Sequence, residues 1–431
     1  MKKPETSGKS VLIIGINFSP ELTGIGKYTG EMADWLVKND YKCRVVTSFP
    51  YYPFWKVQAP YTNKFYKKEV SNDGMLTVYR CPLYVPQKPS GLKRLIHDAS
   101  FFISAFLMTF YLLFKPKADY IFCIAPPFHL GFLGLFYRLF RGGKIVYHIQ
   151  DLQIEAARDL QILKSKKVFT ILFALERFIM QRVNVISSIS GGMLKKIALK
   201  TNKEITFFPN WVDTKMYYPL NDSREDLKKT WGFEADDKVV LYSGSIGEKQ
   251  GLEAIITVAK ELHPLKFIKF IICGTGPHKA TLVASAEEHG LTNVKFFPLQ
   301  EAHLFNSFLN MADVHLILQK RNASDLMMPS KLTTILAVGG LSLVTAEPGT
   351  ALFELLNDNE MGVVIPPEDT DSLKNAIYDC CIRDNSSIKN NGRKYAEQYL
   401  NKNNIIEKTI TKLKPVPPSS KESALKFELN R

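Results

Sequence analysis

The amino-acid sequence predicts an α/β fold of two doubly wound, Rossmann-like domains facing each other across a cleft. Three observations predict it. Short apolar, β-branched runs alternate with helical spacings, the pattern of parallel sheets covered on both faces. The alternation comes in two series, separated by a break rich in Pro, Asn, Asp and Tyr. The first strand of each series runs into a glycine-bearing loop and a helix start, where unpaired backbone N–H groups and the helix dipole favour an anion.

In the first series the expected strands are Val11 to Ile16, Cys43 to Ser48, Leu76 to Arg80, Tyr120 to Ala125, Lys144 to Ile149, Val183 to Ser187 and Ile205 to Phe208. After the first of them come Gly15, a loop with Pro20, Gly24 and Gly26, and a helix spaced through Tyr28, Met32, Trp35 and Leu36. The glycines fall too late after the strand for a dinucleotide fingerprint, and no ribose-binding acid follows the next strand. The uncharged stretch Ala99 to Phe114 is flanked by Lys93 and Arg94 and by Lys115 and Lys117. As a helix it reaches about 24 Å, short of the roughly 30 Å hydrocarbon core, so it either packs in the core or lies in a membrane interface.

The break spans 209–219. Beyond a charged helix at Arg224 to Lys229, strands are expected at Val239 to Ser243, Phe267 to Cys273, Val294 to Phe297, Val314 to Leu318, Leu341 to Thr345 and Gly362 to Ile365. A helix Ser372 to Cys381 capped by Asp371 and another from about Ser387 to Leu413 complete the ordered chain. The domain boundaries expected are therefore 1–208, a hinge at 209–219, 220–385, a helix over 386–414 that returns to the first domain, and a disordered tail at 415–431.

Composition bounds the function. The chain of 431 residues has 45% hydrophobic and 23% charged residues, enough for two cores. Met1 to Ser10 is polar, so no secretion signal is expected. Cys43, Cys81, Cys123, Cys273, Cys380 and Cys381 lack metal-binding spacing and are expected as reduced core thiols of a cytoplasmic protein. A formal charge of +14 implies an anionic partner. Its even spread along the chain, without an aromatic RNA-binding signature, argues against nucleic acid.

Anion-binding chemistry concentrates in the second half. LYSGSIGEKQGL, from Leu241, places Lys249 among Gly244, Gly247 and Gly251 at a helix start. ICGTGP ends a strand with Gly274 and Gly276, which suits close backbone approach to a ligand. LQKRNASDLMMPSKL carries Lys320 and Arg321, then Pro329 and Ser330 opening a helix with Lys331 in its first turn. A cation there opposes the helix dipole, and a bound anion would offset the cost. In the first half, YHIQD presents His148 and Gln150 on one face and Asp151 at the strand tip. Asp151 is either a proton acceptor at the cleft or a helix N-cap. Asp369-Thr370-Asp371 sits at a helix start and is expected to cap it rather than to hold a metal.

These pieces resemble the retaining GT-B glycosyltransferases of family 4, within them the colanic acid and O-antigen biosynthesis group. The resemblance runs from Val11 to about Leu413. It rests on GINFSPELTGIGKYTGEM, RCPLYVP, HIQD, FFPNW, LYSGSIGEKQGLE, FFPLQ, QKR and PSKLTTILAVGG. It implies a nucleotide-sugar donor, GDP- or UDP-linked, held by the second domain without metal or other cofactor. The acceptor implied is a polyprenyl-diphosphate-linked glycan at the inner face of the cytoplasmic membrane, and the sugar fucose or an amino-deoxy sugar. By position, Lys249 and Lys331 are diphosphate ligands and Asp151 lies beside the reacting centre. Gly24, Gly26, Gly244, Ser245, Gly274, Gly276, Phe297, Leu299, Arg321, Ser330 and Thr334 line the donor, and Lys27, Tyr28 and His148 the acceptor. Ser245 and Thr334 replace an Arg and a ribose-binding Glu common in the family, leaving nucleotide preference open. A nucleotide-sugar epimerase and a non-catalytic anion-binding protein are the alternatives.

Overall fold

The computed structural model describes residues 8–21, 24–159, 165–220, 224–321 and 329–413. The expected tail and the segment 322–328 lie outside the described residues. The first half runs β1 (Ser10–Ile14), α1 (Gly24–Lys38), β2 (Lys42–Ser48), β3 (Lys67–Ser71), β4 (Leu76–Cys81), α2 (Gly91–Leu112), β5 (Tyr120–Ala125), α3 (Leu130–Arg141), β6 (Lys144–Ile149), α4 (Gln153–Asp159), α5 (Lys166–Arg182), β7 (Val185–Ser188), α6 (Gly191–Ala198) and β8 (Ile205–Phe207). The second half runs α7 (Arg224–Thr230), β9 (Lys238–Ser243), α8 (Glu253–Glu261), β10 (Ile268–Cys273), α9 (Lys279–Glu288), β11 (Val294–Phe297), α10 (Ala302–Asn310), β12 (Val314–Ile317), α11 (Ser330–Ala337), β13 (Ser342–Thr345), α12 (Ala351–Asp358), β14 (Val363–Ile365), α13 (Thr370–Ile382), α14 (Ser386–Tyr399) and α15 (Lys402–Leu413).

The strands form two sheets, ordered β3-β4-β2-β1-β5-β6-β7-β8 and β11-β10-β9-β12-β13-β14. All pairings are parallel except β3 with β4. Strand alternation divides the apolar residues between the two faces of each sheet. In β1, Leu12 and Ile14 face α2, α3 and α5, whereas Val11 and Ile13 face α1 and α15. In β9, Leu241 faces α10, α11 and α12, and Val240 faces α8, α9 and α13. Strand order reverses beside β1, between β2 and β5, and beside β9, between β10 and β12. Such switch points open a crevice at the carboxyl ends of the strands, so the loops after β1 and β9 carry the ligand positions.

Three elements differ from the sequence expectation. β3, KKEVS, is a polar antiparallel edge strand with no apolar run to announce it. α2 starts eight residues before the apolar stretch and has 22 residues, about 33 Å rather than 24 Å. The expected single helix from Ser387 is two helices. Its break lies at Asn401, whose Oδ1 accepts from the N–H groups of Asn403 and Asn404, and whose Nδ2 donates to Thr214. α14 stays on the second domain, with Ala396 in its core and Arg393 donating to the Ala337 carbonyl. α15 alone crosses back, placing Ile405, Ile406, Ile410 and Leu413 in the first-domain core. At the crossing the two chain segments pair as a bridge: Val212 N–H donates to Leu400 O (2.8 Å) and Lys402 N–H to Val212 O (3.1 Å).

Candidate active site

The second domain builds its half of the site around Lys331. α11 opens behind Pro329 without a side-chain cap, so Lys331 sits among free N-terminal amides. Its ammonium is buried, lies 3.6 Å from the centroid of the Tyr242 ring, and has no hydrogen-bond partner among the described residues. Burial lowers its pKa from 10.5 to about 7. A Cβ added to Gly244 would come within 3.0 Å of this nitrogen, so the glycine turn after β9 lies directly over it. Tyr242 is fixed beneath by its hydroxyl, which donates to Ser245 O (2.6 Å). An unpaired buried ammonium facing free amides is a preformed anion site.

The turn itself is set by the loop after β10. Gly244 N–H donates to Cys273 O (2.9 Å) and Ile246 N–H to Thr275 O (3.0 Å). A Cβ on Gly274 would lie 1.9 Å from Gly244 O, and one on Gly276 would lie 2.0 Å from Ile246 O. Both glycines therefore let the two loops meet backbone to backbone. Phe297 likewise turns its ring onto Trp231 and Phe308, while its carbonyl accepts from Gly274 N–H and from Lys279. Leu299 is exposed beyond β11. Lys249 lies in the turn Glu248–Gln250, with its side chain outside the described residues. Ser330 is the first residue of α11 and Thr334 is buried in it. Arg321 is ion-paired with Glu347 at 2.8 Å. Asp369 caps α13, accepting from Ser372 N–H (2.9 Å) and hydroxyl (2.7 Å).

The first domain supplies the facing wall. Glu21, 3% exposed, accepts from the backbone N–H groups of Tyr51 (3.0 Å) and Tyr52 (2.9 Å) and from Asn17 (2.9 Å). A Cβ on Gly26 would fall 2.5 Å from its carboxylate, so Gly26 makes room for Glu21 against α1. Tyr52, held this way against Gly24, reaches across the cleft to hydrogen-bond Ser245. Tyr28 does the same to Thr333 and packs edge-on against Trp211 (5.4 Å), which donates to Glu31 (2.7 Å). Lys27 lies at the hinge, over the rings of Tyr28 and Tyr217, and burial lowers its pKa.

Asp151 stands half-buried at the tip of β6, before α4. His148 does not reach the cleft: it is buried at 3% exposure against Phe208, bonded to Ser187, and its pKa falls to about 3 through desolvation. The expectation that it binds acceptor is corrected by this placement, because alternation along β6 turns it into the core. Just past Asp151, Gln153 of α4 meets residues the sequence reading passed over, Asp98 within α2 and His129 before α3. Gln153 donates to Asp98 (2.8 Å), and the His129 ring hydrogen-bonds the Asp98 backbone while its Nε2 stays buried and unpaired. Burial raises Asp98 to about 6 and lowers His129 to about 4, leaving a weakly charged cluster suited to hydroxyl groups.

Two Rossmann-like domains, each a mainly parallel sheet covered by helices, have the architecture of the GT-B glycosyltransferases. Residues 223–398 match the model of the family "Glycosyl transferases group 1". The chain is 40% identical over 414 residues, 94% of its length and 99% of the relative's, to the colanic acid biosynthesis glycosyl transferase WcaI of Escherichia coli K12. It belongs to that glycosyltransferase family and is an enzyme. Among solved structures it is similar to sucrose-phosphate synthase from Thermosynechococcus elongatus (14% identity, TM-score 0.71, 94% and 98% of the two chains covered). It is also similar to Anabaena HepE in complex with UDP and glucose (13%, TM-score 0.67, 94% and 99%).

Proposed function

We propose that the enzyme transfers a sugar from a GDP- or UDP-sugar, with retention, to a polyprenyl-diphosphate-linked glycan during exopolysaccharide or O-antigen assembly. Lys331 carries the reading: a buried, unpaired ammonium at a helix start is stable only opposite a ligand anion, and a nucleoside diphosphate supplies one. Lys331, joined by Lys249, neutralises the departing diphosphate, and charge neutralisation of this kind carries most of the catalytic effect. The leaving oxygen, on the same face as the acceptor hydroxyl, takes its proton. Asp151 stabilises positive charge developing at the anomeric carbon. Tyr52 and Tyr28 close the first domain over the donor, and the Asp98–Gln153–His129 cluster holds the acceptor glycan. The relative's colanic acid pathway and the UDP and glucose held by HepE support donor and product class.

The lipid-linked acceptor requires contact with the inner face of the cytoplasmic membrane, and α2 supports it by length and apolar composition. A thermal-shift panel of GDP, UDP and their sugars tests the donor site. A ligand at about a hundred times its dissociation constant adds roughly 2.7 kcal/mol to wild type, and none should act on Lys331→Ala. Turnover of nucleotide-sugar without lipid acceptor would indicate an epimerase. Silence to every nucleotide would refute the proposal.

A further inference from the structure

The first domain carries a large exposed apolar face on the side of its sheet away from α1. α2 exposes Leu92, Ile103, Leu107 and Phe110, and α3 exposes Leu139 and Phe140. α5 adds Ile171, Leu175 and Phe178. Ring contacts join the three helices into one surface: Phe106 with Phe136 (4.9 Å), Phe136 with Phe140 (5.3 Å) and Phe132 with Phe178 (6.0 Å). Contiguous apolar area on this scale marks a contact surface.

Its rim is mainly basic. Between Ala99 and Gln150 the sequence has five basic residues and one acidic, Asp119. Along α5, Glu176 is buried and paired with Lys200 at 2.6 Å, leaving Lys166, Lys167, Arg177 and Arg182 at the surface. Among the described residues, Arg138, Arg141, Arg177, Arg182 and Lys203 have no carboxylate partner. Burial, and after it the charge of Arg138, lowers the pKa of Lys203, whose ammonium donates to the Val183 carbonyl. Crowded cations without acids are relieved by an external anion. Where α5 meets the loop after α6, a cavity of about 500 Å³ is lined by Arg177, Leu199, Lys200, Thr201 and Lys203; Lys200 is paired there with both Glu155 and Glu176, which leaves Arg177 and Lys203 as its cations without a carboxylate partner among the described residues. Leu199 is 88% exposed.

A predominantly basic rim around aromatic residues, with Glu204 an exposed acid beside Lys203, complements an anionic bilayer, whose headgroups are negative and whose interior is apolar. We propose that the α2–α3–α5 face seats on an anionic phospholipid bilayer and that the Arg177–Lys203 cavity binds a lipid phosphate headgroup. This deepens the membrane part of the proposed function by naming a lipid site remote from the donor site.

Flotation of the full chain with vesicles tests it, using 30% phosphatidylglycerol in phosphatidylcholine against phosphatidylcholine alone. Wild type should bind the anionic vesicles at least tenfold better, and less in high salt. Each basic residue at the surface contributes about fivefold. Arg177→Gln with Lys203→Gln should therefore lower binding by tenfold or more. Lys408→Gln with Lys412→Gln, on exposed positions of α15, removes the same charge elsewhere and should leave binding within about threefold. Leu107→Glu with Phe110→Glu should abolish flotation. Absence of wild-type flotation, equal losses for the two lysine- and arginine-neutralised pairs, or a dimer dissociated by Leu107→Glu would overturn the proposal. Nucleotide-induced thermal shift reads the donor site separately. If it persists while flotation fails, the lipid site alone is wrong; if it is absent while flotation succeeds, the glycosyl-transfer reading is wrong.

Discussion

Replacing Lys331 by Met should make the unliganded protein more stable and useless to the donor. The ammonium is buried without a hydrogen-bond partner among the described residues, and desolvation moves its pKa from 10.5 to about 7. That difference corresponds to about 5 kcal/mol against the charged folded state. Methionine follows the same path through the core, and the lost contact with the Tyr242 ring returns about 1–2 kcal/mol. The net gain is about 2–4 kcal/mol, or about 5–15 °C in Tm for a unit of this size. The pH dependence has a definite sign. Below pH 7 the lysine is charged in folded and unfolded chains and the whole cost stands. Between about 7 and 10.5 the unfolded chain holds the proton and the folded one does not, so wild type gains stability as pH rises. The advantage of Lys331→Met should be greatest at pH 6 and shrink by about 2–3 kcal/mol at pH 9. Thermal melts at both pH values, with and without GDP and UDP, read all of this. A variant less stable than wild type at pH 6, or a gap unchanged at pH 9, would refute the reasoning.

Gly276→Ala puts a Cβ 2.0 Å from Ile246 O, so the loop after β9 must move; nucleotide-induced stabilisation should fall at least tenfold in affinity with the fold intact by circular dichroism. Tyr52→Phe removes the hydroxyl that meets Ser245 across the cleft; its loss, about 1 kcal/mol, should appear as a severalfold drop in kcat/KM while urea unfolding stays near wild type. Glu21→Gln keeps an amide oxygen for the Tyr51 and Tyr52 N–H groups but sets its own NH2 against the Asn17 Nδ2 donor; denaturation should show about 1–3 kcal/mol of lost stability together with reduced transfer. Asp98, raised to about 6 by burial against the lowering effects of Gln153 and Arg94, should give transfer an acid limb near pH 6. Asp98→Asn should lack that limb and raise KM for acceptor, not for donor, in steady-state assays.

Strands buried on both faces were the legible part of the sequence, because a strand such as IFCI reads the same whatever packs on it. The polar edge strand Lys67–Ser71 was not legible, since it is held by pairing with β4 and buries none of its side chains fully. Lys331 was recognisable from its clash with the helix dipole, a local property. The burial over Tyr242 that makes it an anion site comes from β9, about 90 positions away in the chain. Gly274 and Gly276 showed that some backbone comes close; whether ligand or loop is decided by a second chain segment. Asp98, His129 and Gln153 carry no spacing signal, because α2, the residue before α3 and the start of α4 bring them together from separate parts of the chain. His148 could have been recognised as core from its alternation with Tyr147 only if both faces of β6 were known to be covered.

The crossing of α15 has a consequence for synthesis. Ile405, Ile406, Ile410 and Leu413 complete the packing over β1 and α1, so the domain that leaves the ribosome first lacks one wall until the last helix arrives. The second domain, continuous from α7 to α14 in sequence, can close its core before that moment. The earlier half therefore cannot complete its packing until the later half has been made, and the paired segments at Val212 and Asn401 join in the same event. A chain cut before residue 402 would lack that wall and leave the apolar faces of β1 and α1 open to solvent, an aggregation-prone acceptor side.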